Sequence, residues 1–110
     1  MQLALIDAPR RPRVRIGLAL IHNLTARAEE LTGMKAGALQ TTHRGRDTSW
    51  VRFAVMKVAR EHGRSLLSIA RCFGKMDHTS VIYGIKRAVE LEQDDKEFAE
   101  LMKLLRREAV

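Results

Sequence analysis

Apolar residues recur along this chain at intervals of three and four, the spacing that gathers them on one side of an α-helix. Ile16, Ala19, Leu20, Leu24, Ala28 and Leu31 keep that period from Arg15 to Thr32, and Gly33 is a natural stop. Met34 to Leu39 is short and apolar, which predicts one further turn covering the core. Gln40 to Thr48 is polar, contains Gly45 and has no period, so it reads as a loop. Asp47 or Thr48 then caps a helix from Ser49 to Glu61, with Val51, Ala54, Val55 and Val58 as its stripe and Trp50 and Phe53 widening it. His62-Gly63-Arg64 breaks that helix, and Ser65 caps another whose buried face is Leu66, Ile69, Ala70 and Phe73, ending at Gly74. From His78 to about Gln93 a helix buries Val81 or Ile82, Ile85, Ala88 and Val89. Asp94-Asp95 caps a last amphipathic helix carrying Phe98, Leu101, Met102 and Leu105. No alternating strand pattern and no internal repeat interrupts the series. The fold class expected is all-α, with about five to six helices.

Two of these helices are joined by Gly74-Lys75-Met76, a short turn containing glycine, which is the helix-turn-helix arrangement. Asp77 suits the N-cap of the second helix, because its carboxylate can accept from the backbone N–H of Thr79 or Ser80. His78, Thr79 and Ser80 then project from the helix tip, with Lys86 and Arg87 about two turns further on. Such a tip fits a DNA groove: His78 and Thr79 meet base edges or a thymine methyl, and Asp77 can accept from a cytosine or adenine amino group. Ser80, Lys86 and Arg87 hold phosphates. Arg44 and Arg46, separated by a glycine, are always-charged forks suited to phosphate or to a narrow minor groove. Arg52 and Arg60 are eight residues apart on one broad helix face, where they either contact phosphate or stay solvated.

Composition narrows the picture. A chain of 110 residues is one domain in size. Residues 1–14, holding both prolines and a cluster of arginines, read as a flexible basic arm before a folded domain at 15–110. The formal charge is +7, with seven acidic and four basic residues in 90–110, so the part upstream carries +10. That excess lies with the helix-turn-helix, as a double-stranded DNA partner requires. One cysteine, Cys72, makes neither a disulfide framework nor a cysteine-based metal site, and reads as a small core hydrophobe. No apolar run approaches the ~20 residues of a membrane span, and the first residues lack the form of a signal peptide, so a cytoplasmic, nucleoid-associated location is expected. No phosphate-binding glycine loop occurs, the histidines have no metal-ligand spacing, and Asp77-His78-Thr79-Ser80 on one helix cannot converge as a hydrolytic triad. The expectation is a protein that is not an enzyme and takes no nucleotide, metal or other cofactor.

Phe73-Gly74-x-x-Asp77-His78-Thr79-Ser80-Val81 closely resembles the signature of the C-terminal DNA-binding domain of the bacterial replication initiator DnaA. The likeness extends through Ser65-Leu66-x-x-Ile69-Ala70 and Ala59-Arg60-Glu61, and covers about residues 15–107. It implies a Trp-repressor-like helical domain that binds a DnaA box. It also implies base reading by Asp77, His78 and Thr79, an arginine in the minor groove at Arg44, and phosphate contacts at Arg52 and Arg60. The placement of Arg44 takes the segment between Glu61 and Ser65 as one residue short. Met76 stands where the family usually has arginine, and Leu67 replaces a proline that commonly contacts DNA. The initiator's ATPase domain has no counterpart in these residues. The expected function is therefore stand-alone, sequence-specific reading of DnaA-box-like sites, regulating transcription or competing with the initiator at an origin. A reading of another class is an adaptor that recruits a protein partner through the acidic segment from Glu90 to Glu100.

Overall fold

The computed structural model describes residues 5, 6, 19–41, 45–74 and 76–109. They form α1 (Ala19–Thr32), α2 (Arg46–Glu61), α3 (Leu66–Arg71), α4 (His78–Asp94) and α5 (Lys96–Glu108), with a 3-10 turn at Ala38–Gln40 and no strand. The all-α helix-turn-helix architecture expected from the sequence is the one found. No helix among the described residues is long and apolar enough to cross a membrane.

The centre is α2. Trp50, Val51, Ala54, Val55, Met56, Val58 and Ala59 are all buried, which is more than one stripe can hold. A helix apolar around most of its circumference is stable only when covered on several sides, and α1, α4 and α5 each pack on it. Trp50 meets Phe98 of α5 edge to face, with ring centroids 4.8 Å apart. Against α4 the approach is closest at Gly84. A Cβ there would stand 2.5 Å from Met56 Sδ and 2.9 Å from Phe53 Cδ1, so any other residue would force those side chains to shift.

Helix ends follow the predicted caps where a short polar side chain is present. Ser65 Oγ accepts from Ser68 N–H at 3.1 Å, Asp77 Oδ1 from Ser80 N–H at 2.9 Å, and Asp95 Oδ1 from Phe98 N–H at 3.1 Å. Two boundaries and one buried face differ from expectation. α2 begins at Arg46, and its N-cap, Gly45, supplies no side-chain bond. Asp47 therefore sits in the first helical turn, where it complements the helix dipole, and Thr48 is buried rather than capping. α3 ends at Arg71, leaving Cys72 to Gly74 as a turn in which Gly74 takes φ +76°. On α4, Val81 is buried but Ile82 and Val89 are exposed. Ile82 and Val89 are seven residues apart and share the outward side, which corrects the expected burial of Val89.

Of the expected N-terminal arm, two residues are described. Ile6 N–H donates to Leu31 O at 2.7 Å, and Leu5 packs against the core, so this piece is attached to the end of α1. The arm's arginines and the expected helical start from Arg15 to Leu18, with Ile16, lie outside the described residues.

Arg106 ties three helix ends together. Its Nε and Nη2 donate to the Glu61 carboxylate at 3.0 and 2.9 Å, and its Nη1 and Nη2 to Glu92 at 2.5 and 3.0 Å. Both carboxyls lie below their usual range, chiefly because Arg106 donates to the charged form. A depressed carboxyl pKa stabilises the fold fully above the unfolded value, and that contribution is lost as pH falls through the folded one. Arg106→Gln is therefore expected to cost about 1 kcal/mol near neutral pH, the sites being partly screened by solvent. The gap from the parent should close as pH is lowered to about 3. Urea denaturation across that range checks it, and a gap independent of pH would contradict it.

Candidate nucleic-acid interface

The exposed start of α4 follows from its cap. With Oδ1 of Asp77 on the Ser80 N–H, the chain enters the helix extended and His78, Thr79 and Ser80 are exposed at the tip. The same hydrogen bond holds the Asp77 carboxyl below its usual range. At about 100° per residue, His78, Ile82, Lys86, Thr79 and Tyr83 fall within one arc of about 140°, opposite the buried Val81, Gly84 and Ala88. Lys86 is exposed on that arc. Arg87 is turned further round, and its guanidinium pairs with Glu90 at 2.5 Å.

Two residues on this face were missed in the sequence. Ile82 reads there as an alternative to Val81 in the core and Tyr83 is given no role, yet they are 42% and 58% exposed. The signal available was spacing, since each lies four residues after His78 or Thr79. Tyr83 is fixed edge-on against Phe53, with centroids 5.9 Å apart and an interplanar angle of 80°.

Between the tip of α4 and the first half of α2 lies a cleft of about 570 Å³. Ser49, Thr79 and Ser80 bring hydroxyls to it, while Phe53, Met56 and Met76 line it with apolar surface. Met76, where the resemblance expects arginine, is thus half-buried and packed against the core.

The far side of the cleft is held by a clamp on Leu39. Glu29 Oε2, from α1, accepts from the Leu39 N–H at 3.1 Å. Arg52 Nε, from α2, donates to Leu39 O at 2.8 Å, and its Nη2 to Thr41 O at 2.6 Å. Glu29 and Arg52 are only 3% and 5% exposed. The expectation that Arg52 faces outward, to contact phosphate or stay solvated, is therefore corrected: the side chain lies inward because two backbone carbonyls take its donors. It still forms part of the cleft wall. The clamp fixes the backbone up to Thr41. Arg44, three residues later, lies outside the described residues. Arg46 is exposed at the first position of α2. Arg60 is exposed near the other end, about 21 Å along the axis, where its Nη1 donates to Arg64 O at 3.0 Å.

The structure thus places Asp77, His78, Thr79 and Ser80 at the exposed tip of α4, with His78, Thr79 and Lys86 on one face of the helix. Arg46 and Arg60 stand at opposite ends of α2, and Arg52 is inside. The expected acidic face does not form as a surface of one sign. Glu92 is held by Arg106 and Glu90 by Arg87, while Lys96 and Lys103 are exposed beside Glu100 on α5. Cys72 is half-buried, and burial raises its thiol pKa, as suits a packing residue.

The family profile described as "Bacterial dnaA protein helix-turn-helix" matches residues 18–88. The chain belongs to that family. It is a DNA-binding, DnaA-like helix-turn-helix domain. Among its relatives, the chromosomal replication initiator protein DnaA of Gluconobacter oxydans is 33% identical over 88 residues, covering 79% of this chain and 18% of the relative. That of Caulobacter vibrioides is 32% identical over 110 residues, covering 97% and 22%. That of Roseobacter denitrificans reaches 52% over 44 residues, covering 40% and 10%. The chain therefore spans about a fifth of the length of the relatives it matches most broadly. No solved structure matches it.

For Arg52 the geometry makes a definite prediction. Arg52→Ala should lower stability by about 2–3 kcal/mol in urea denaturation, because buried carbonyls lose charge-assisted donors. A loss below about 0.5 kcal/mol, normal for an exposed arginine, would contradict the clamp.

Proposed function

We propose that this DnaA-like domain binds double-stranded DNA sequence-specifically at DnaA-box-like sites and regulates replication initiation or transcription in the bacterial nucleoid. The observation that carries the reading is the tip of α4: a capped helix start, second in a helix-turn-helix, presenting three exposed polar side chains. In this reading the tip enters the major groove. His78 and Thr79 donate to or accept from base edges, and Asp77 accepts from an exocyclic amino group while continuing to cap the helix. The backbone is held by Ser80 and Lys86, by Arg46 and Arg60 from the two ends of α2, and by Arg87 once phosphate displaces Glu90. Arg44, in the segment that follows the clamp, serves the minor groove. Arg52 contributes by holding the start of that segment in place. Leu67, exposed at the start of α3, offers an apolar surface where the resemblance expects a contacting proline. The names of the relatives, chromosomal replication initiator proteins, support the replication-initiation arm of this reading. The mixed charge of α5 gives no such support to recruitment of a partner by an acidic face.

His78→Ala should weaken binding to a DnaA-box duplex by about 1–3 kcal/mol while changing affinity for a scrambled duplex much less. Titration of both duplexes at one fixed salt concentration measures this. Equal losses on the two would remove His78 from base reading.

A further inference from the structure

Tyr83 has a large ring, 58% exposed, on a face it shares with His78, Thr79, Ile82 and Lys86. Its edge-on contact with Phe53 holds the ring in one direction, so little side-chain freedom is left to lose on binding. It stands one turn, about 6 Å, after Thr79 and is the residue of the outward arc turned furthest toward α2 and the cleft. The polar part of that cleft is suited to an anion with many oxygens. Ser49, Thr79 and Ser80 bring hydroxyls, and the carboxylate of Asp77 is engaged with the Ser80 N–H.

We infer that the phenol of Tyr83 donates to a phosphate oxygen of the DNA strand seated along this cleft. The inference rests on the DNA-reading assignment of α4. With the tip of α4 in the major groove, a sugar-phosphate backbone must run along the edge of that groove beside the tip. The cleft lies between that tip and the first half of α2, and Tyr83 is at its α4 edge. A phenol is neutral, so its bond adds affinity without releasing a counterion. It therefore differs from the arginine and lysine contacts, which set the salt dependence.

The test is Tyr83→Phe, which keeps the ring and its contact with Phe53 and removes only the hydroxyl. Circular dichroism verifies that it folds as the parent does. Affinity should fall about tenfold on a DnaA-box duplex, with the slope of log affinity against log salt unchanged. Single methylphosphonate replacements along both strands then locate the bond. One replacement should weaken the parent by about as much as the mutation does and leave Tyr83→Phe unaffected. Unchanged affinity of Tyr83→Phe, or equal sensitivity of both proteins at every phosphate, would overturn the inference. If the parent fails to distinguish DnaA-box from scrambled duplex, the assignment of α4 fails. If it distinguishes them and Tyr83→Phe matches it, only the role of Tyr83 fails.

Discussion

The reading helix takes its position from the absence of one atom group. At Gly84, α4 lies so close to α2 that a single Cβ would overlap Met56 and Phe53. Val81 and Ala88, on the same side of the helix, complete the contact, and the outward face is thereby fixed. His78 and Thr79 cannot turn inward while Gly84 remains against α2. Phe53, which touches this contact from α2, also sets the ring of Tyr83. Packing and surface chemistry are thus one arrangement: the residues that hold α4 determine which of its side chains meet DNA.

A second constraint acts on α2 at Arg52, directly before Phe53. Leu39 has its N–H taken by Glu29 and its carbonyl by Arg52, both nearly inaccessible to water. Burying two ions is costly unless their hydrogen bonds are made, and here each is spent on backbone that would otherwise lack a partner. The result joins α1 to α2 through one residue and anchors the chain just before its short basic segment. The Arg106 cluster does a similar task on the opposite side, joining the ends of α2, α4 and α5. The interface is therefore mounted on elements held near the middle and at the C-terminal end of the central helix.

Much of this was legible in the sequence. The three-four period located all five helices, and Ser65, Asp77 and Asp95 cap as side chains of their kind do, because the orphan N–H groups of a helix start are a local need met locally. The exposed tip at His78 to Ser80 followed from that cap. What failed was whatever depended on distant neighbours. The start of α2 has no capping side chain to announce it. Arg52 carries a surface residue's charge, but its partners are carbonyls eleven and thirteen residues away. Ile82, Tyr83 and Val89 have core chemistry on an outward face, and only the close seat of Gly84 decides which side of α4 is outward.

The central claim is that this surface reads sequence. Selection of bound duplexes from a random pool tests it most directly, with the full chain and a range of salt concentrations. Enrichment of one DnaA-box-like motif, persisting as salt weakens the phosphate contacts, is the result predicted. Recovery of duplexes with no common motif at any salt would contradict it, leaving a domain that holds DNA by its backbone alone.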